Sequence, residues 1–235
     1  MQKEIKAVFF DLDGTLLPMD QEIFVKAYFK ELCIKMAPYG YDYDKLVKGV
    51  WAGTHAMVKN QANGTNEDVF WKTFAGIFGE EALSDREIFD EFYRNEFDNV
   101  KKVCGNNPAS DRIVKQLKSE GLKIVLASNP VFPETAQKKR MQWAGLNPDD
   151  FDYITSYENS HFCKPNTKYY SEILEILGLK AEECVMVGND VNEDMCASEL
   201  GIKTFLLTDC LINSENRDIF IYDKGGFDEL LRWFE

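Results

Sequence analysis

The sequence predicts an α/β protein: a doubly wound parallel sheet interrupted by an inserted helical region. Three observations carry this prediction. A short apolar run, Ile5 to Phe10, ends on Asp11. From residue 108 onward, helix starts, amphipathic runs, glycine stops and apolar strands repeat in order, and such alternation implies parallel strands linked by helices. Between the two, residues 18 to about 105 hold helical patterns and no clear strand. The expected division is a core of residues 1–17 and 106–235 and a helical domain of residues 18–105.

Taken in order, Ala7-Val8-Phe9-Phe10 is short, apolar and rich in branched and aromatic residues, so it reads as a buried strand. In the inserted region Asp20 can cap a helix over Ile23 to Met36. A second pattern runs from about Tyr43 to Asn60 and a third follows Thr65. The fourth begins at Ser84-Asp85-Arg86-Glu87, a capping-box pattern, before Ile88, Phe89, Phe92 and Tyr93. In the core, Ser110 can cap a helix running to Gly121, and Lys123 to Ala127 is the second strand. Pro133 suits a first helical turn and Gly145 its end; Phe151 to Thr155 is the third strand. Asn166 or Thr167 opens a helix that stops at Gly178, Cys184 to Val187 is the fourth strand, and a short helix to Gly201 precedes a fifth, Ile202 to Leu207.

The 235 residues carry a net charge of −13, which disfavours nucleic acid and anionic membrane as partners, since both require a basic footprint. No apolar run reaches the roughly 18 residues of a membrane span. Asp11 and Asp13 interrupt the apolar stretch where a signal peptide would need continuity, so a cytoplasmic location is expected. The six cysteines form no Cys-x-x-Cys pair, which argues against a zinc site or a disulfide scaffold and for reduced core residues. The sequence fixes no oligomeric state, and a monomer is compatible with it.

Asp11-Leu12-Asp13-Gly14-Thr15-Leu16 follows the first strand directly. On extended backbone residues i and i+2 point the same way, so both carboxylates can face one pocket, and Gly14 permits a sharp turn after them. An Asp-x-Asp-Gly stretch can also open a calcium loop. Here Glu22 does fill the twelfth position, but Leu16, Leu17 and Pro18 stand where oxygen ligands are needed. Ligands of open α/β sheets bind beyond the carboxyl ends of the strands. Three later strand exits carry suitable groups: Ser128-Asn129, able to donate hydrogen bonds to phosphate oxygens; Lys164-Pro165, whose ammonium could neutralise both a phosphate and Asp11; and Gly188-Asn189-Asp190 with Asp194, whose oxygens suit a hard divalent cation such as Mg²⁺. Asp194 could instead charge the first turn of the following helix.

In this order and at these positions, the four motifs resemble those of the haloacid dehalogenase superfamily, in particular its phosphatases with a helical cap inserted between the first two motifs. The resemblance implies a Rossmann-like core and hydrolysis of a phosphoric monoester, because dehalogenases of the superfamily lack the second aspartate, present here as Asp13. It further implies that Asp11 attacks phosphorus to form an aspartyl-phosphate and that Asp13 protonates the leaving oxygen and then activates water. Ser128, Asn129 and Lys164 would hold the phosphoryl group. Mg²⁺ would be bound by Asp11, the backbone carbonyl of Asp13 and an acidic residue after the fourth strand. Many relatives have Gly-Asp in that motif; with Gly188-Asn189-Asp190 here, Asp190 is the expected ligand, Asp194 supports it, and Asn189 is the alternative.

The expected substrate is a small phosphorylated metabolite, such as a sugar phosphate, phosphoglycolate or a nucleotide. A phosphomutase is the enzymatic alternative, and a weakly catalytic protein that senses a phosphorylated ligand is the alternative outside catalysis. Met19, Trp51, His55 and Lys59 are candidates for substrate contact, although a packed tryptophan with a solvated histidine and lysine is the simpler account; His161 is similar. With two histidines and no Gly-x-Ser-x-Gly, a serine hydrolase triad has little support, and no Gly-x-Gly-x-x-Gly follows a strand to suggest a dinucleotide site.

Overall fold

The computed structural model describes residues 5–234. Six strands form one sheet in the order β3-β2-β1-β4-β5-β6, with every neighbouring pair parallel. They are β1 (Ala7–Phe10), β2 (Lys123–Leu126), β3 (Tyr153–Ile154), β4 (Cys184–Gly188), β5 (Lys203–Leu207) and β6 (Asp223–Gly225). Successive side chains alternate between two covered faces. Val8, Phe10, Ile124, Leu126, Val185 and Val187 pack on one side, beneath α5 (Pro108–Ser119), α6 (Glu134–Trp143) and α8 (Phe227–Phe234). Ala7, Phe9, Val125 and Met186 pack on the other, against Tyr169, Tyr170 and Ile173 of α7 (Lys168–Leu177). Phe10 lies between Leu126 and Val187 in register, so the exits of β1, β2 and β4 stand side by side where the strand order reverses.

The doubly wound sheet is the one predicted, with local corrections. A sixth strand and the C-terminal helix were not expected. β3 is shorter than Phe151 to Thr155, and the segment before β5 is a 3₁₀ helix, Met195–Leu200. Ser110 does not cap α5. Asn107 does, accepting from Ala109 N at 3.0 Å, because Pro108 presets the first helical turn two residues earlier. Ser110 lies inside the helix and donates to Leu16 O at 2.7 Å.

Between β1 and α5 the chain builds α1 (Gln21–Met36), α2 (Tyr43–Val58), α3 (Asn66–Phe78) and α4 (Arg86–Arg94), joined in part by 3₁₀ turns. Asp20 caps α1 through Ile23 N at 3.0 Å. The box expected at Ser84 and Glu87 does not form, since Glu80–Asp85 winds as a 3₁₀ helix and the Ser84 hydroxyl donates to Glu81 O at 2.6 Å. A box forms instead at α3, between Thr65 and Asp68. The helices leave and rejoin the core through adjacent backbones: Gly105 N donates to Pro18 O at 2.6 Å and Met19 bridges Cys104. α3 adds a third tie. The free N–H groups of a helix's first turn need acceptors; here Asn66 N takes Ser160 O and Glu67 N takes Tyr157 O, both at 2.8 Å. The cysteines are unpaired, and among the described residues no helix is long and apolar enough to cross a membrane.

Candidate active site

Asp11 ends β1 and is fixed there by its own N–H, which donates to Val187 O at 2.9 Å. The chain then turns tightly, with Leu17 N and Thr15 N both reaching Leu12 O. Gly14 makes the turn possible: its φ is +83°, and a Cβ there would stand 2.4 Å from Asn189 Nδ2. The turn carries Thr15 Oγ1 to within 3.0 Å of Asp11 Oδ2 and 2.9 Å of Asn189 Oδ1, so its proton locks the nucleophile candidate against the β4 exit.

Lys164 reaches the same point from the loop after β3. It is 1 % exposed, and its Nζ donates to Asp11 Oδ1 at 3.0 Å and to Asp194 Oδ1 at 2.6 Å. Burial alone would lower the lysine pKa, but the two carboxylates outweigh it and hold the ammonium protonated, with a pKa well above the ordinary value. Asp194 is pushed up by burial, opposed by Lys164. Its second oxygen accepts from Asp190 N at 2.9 Å, so it does not cap the helix ahead. Gly188 permits this approach, since a Cβ there would lie 2.1 Å from Asp194 Oδ2.

Asn189 has its amide engaged at both ends, accepting from Thr15 and donating to Cys210 O at 2.7 Å. Asp190 differs. Its Oδ1 accepts from Asn192 N and Glu193 N at 2.7 and 2.9 Å, while Oδ2 accepts no hydrogen bond from the described residues. Asp13 faces the cavity with Oδ1 buried and unpartnered, and Oδ2 paired to the fully buried Arg140 of α6. Burial raises the Asp13 pKa; the guanidinium opposes it. Arg140 is held in turn by Gln137 and by the Phe132 ring, 4.4 Å away.

Ser128 is oriented through its backbone, its carbonyl accepting from Thr155 Oγ1 at 2.8 Å and Tyr169 Oη at 3.0 Å, and it lines the cavity beside Asp11. The amide donors of Asn129 are already committed, to Glu193 Oε2 at 3.0 Å and Lys164 O at 3.5 Å. Glu193 is itself raised to about 8, principally by burial.

Asp11, Asp13, Ser128, Asp190 and Asp194 line one end of a cavity of about 340 Å³ whose other end is built by α1 to α4; Lys164 and Arg140 pair with these carboxylates without lining the cavity themselves. Of the candidates from the inserted region, Met19, Trp51 and His55 line it and Lys59 does not. His161 stands elsewhere, paired with Glu172 at 2.6 Å. Thr15, Arg140 and Glu193 were not foreseen as site residues. Thr15 lay within the first motif without a role, and Arg140 closes the run Lys138-Lys139-Arg140, which reads as a solvated charge cluster.

The signature of haloacid dehalogenase-like hydrolases matches residues 5–208. A glyceraldehyde 3-phosphate phosphatase of Methanothermobacter thermautotrophicus is 28 % identical over 230 residues, covering 95 % of this chain and 93 % of its own. A phosphoglycolate phosphatase of Vibrio vulnificus is 26 % identical over 214 residues, covering 88 % and 85 %. Among solved structures, a phosphatase of the same superfamily from Thermococcus onnurineus superposes with a TM-score of 0.59 at 20 % identity, covering 98 % of each chain. A family match over residues 5–208, on a sheet with this strand order and these strand-exit carboxylates, makes the chain a member of the haloacid dehalogenase-like hydrolases.

Proposed function

We propose that the protein is a Mg²⁺-dependent phosphatase of a small phosphorylated metabolite that works through an aspartyl-phosphate on Asp11, with residues 18–105 as its cap. The observation that carries this reading is the buried Lys164 ammonium between Asp11 and Asp194, a fixed positive charge behind the two carboxylates that line the acidic end of the cavity. The related phosphatases act on small phosphorylated compounds by their names, which supports the substrate class.

Asp11 Oδ attacks phosphorus while the bond to the leaving oxygen breaks, and Asp13 gives that oxygen its proton. Asp13 then takes a proton from the water that attacks the aspartyl-phosphate, returning Asp11 and inorganic phosphate. The burial of Asp13 raises its proton affinity, which suits the acid role. Lys164 and Ser128 orient and neutralise the phosphoryl oxygens. The donor chemistry fits Mg²⁺, which needs only one or two carboxylates plus water and substrate oxygens. Asp11, Asp190 with its free Oδ2, and the Asp13 carbonyl would hold it, Asp194 supporting through Lys164 and Asp190 N. Bound Mg²⁺ would supply neutralisation of the charge that repels Asp11 from phosphate. The unpaired cysteines fit a reducing compartment such as the cytoplasm.

The test is phosphate release from a panel of phosphorylated metabolites and an aryl phosphate, with Mg²⁺ or chelator, for the native protein and Asp11→Asn. Metal-dependent release lost in the variant is the expected result. Isomerised product with little free phosphate would identify a mutase, and saturable binding without turnover a ligand sensor.

A further inference from the structure

We infer that the cavity selects phosphomonoesters of an uncharged, ring-bearing alcohol, aromatic or alicyclic, and rejects those carrying a second anion. The inference rests on the phosphatase reading and adds the identity of the leaving group.

The cap side of the cavity is built from rings and branched aliphatics: Phe24 and Tyr28 of α1, Val50 and Trp51 of α2, Phe70 and Trp71 of α3. No lysine or arginine lines it. The histidine there, His55, stands exposed at the outer edge, its ring stacked on Trp51 with centroids 5.8 Å apart. The two buried cations nearby are already committed, Lys164 to Asp11 and Asp194, Arg140 to Asp13. A carboxylate or second phosphate at the cap end would thus lose its hydration and find no countercharge, the costliest way to bury an ion.

Polar contacts are also few. Tyr28 and Tyr93 share one hydrogen bond between their hydroxyls at 2.9 Å, and Thr54 donates to Val50 O of its own helix at 3.0 Å. Asp13 Oδ1 aside, the buried groups of the wall left without a partner among the described residues are the Trp71 indole N–H and Asn129 Oδ1. A polyhydroxylated chain would therefore leave most of its hydroxyls unpaired. A ring gains from the same walls, since aromatic faces and edges at van der Waals distance reward both burial and stacking. The volume of about 340 Å³ sits near the lower end of small-molecule sites, roughly 300–1,000 Å³, which suits one or two rings beside the phosphate.

The experiment compares kcat/KM with Mg²⁺ for benzyl phosphate and 1-naphthyl phosphate against phosphoglycolate and a sugar bisphosphate. The uncharged ring esters should lead by roughly tenfold or more. Thr54→Lys, or Val25→Lys if the first variant does not fold, should shift that ratio toward the charged esters by about the same factor, because each supplies the missing cation. Equal or better cleavage of the charged esters by the native protein would overturn the inference. If none is cleaved, the phosphatase reading fails, and the cavity is judged separately by quenching of tryptophan fluorescence, Trp51 and Trp71 being in its wall. Quenching by benzylphosphonate but not phosphonoacetate would uphold the selectivity, and the reverse order would refute it.

Discussion

Asp13 depends on Arg140, a guanidinium buried among Ala136, Gln137 and Phe132, far along the chain from the motif it serves. Removing one partner of a buried pair typically costs 3–5 kcal/mol, and the Asp13 side chain keeps 20 % exposure, so Arg140→Met should destabilise by about 3 kcal/mol in urea titration. Adding Asp13→Asn should recover part of that loss; no recovery would mean that the guanidinium is held by packing alone. At the β4 exit, Asp190 offers an unengaged oxygen whereas Asn189 does not. Asp190→Asn should therefore raise the Mg²⁺ concentration needed for half-maximal activity more than Asn189→Ala does, and the opposite order would make Asn189 the ligand position. At this scale the sequence was informative about residues at and after the strand ends, because Asp11 and Asp13 directly follow an apolar run and Lys164 precedes a proline in the loop after β3. It was silent on Arg140, whose role comes from a helix register that turns one member of a basic run inward.

The exits of β1 and β4 are shaped by two glycines that each make room for a side chain of the β4 exit. Gly14 makes room for Asn189, and Gly188 for Asp194. Gly188→Ala should push Asp194 away from Lys164 and lower kcat/KM by at least about tenfold, while far-ultraviolet circular dichroism stays native; unchanged kinetics would show that Asp194 is not held by this contact. At α3, Thr65→Ala removes the cap and should cost about 1 kcal/mol in thermal or chemical unfolding. The core strands β1, β2, β4 and β5 were legible because each is a run of apolar residues flanked by turns. β6, with the sequence Asp-Lys-Gly, has no such run and is a strand only because β5 lies beside it. Ser84 and Ser110 illustrate the other failure: a local cap signal was overridden by a 3₁₀ turn and by a proline that starts the helix sooner.

Across the whole molecule the charge of −13 opposes an anionic substrate until it reaches Lys164. Raising ionic strength from about 0.01 to 0.15 M shortens the Debye length from roughly 30 to 8 Å, so kcat/KM at saturating Mg²⁺ should rise; a fall would mean that local positive field dominates the approach. The order of sheet, insertion and motifs was legible from the sequence, since periodicity reports each element in turn. The cavity was not, because its walls come from four helices whose inner faces are defined only by one another. The backbone pair at Pro18 and Gly105 has a wider meaning. A loop's closure cost grows only with the logarithm of its length, so a socket whose two contacts touch can accept inserts of very different size at nearly constant cost. Such a socket would let the helical segment change in length while the sheet and its strand-exit carboxylates keep their places.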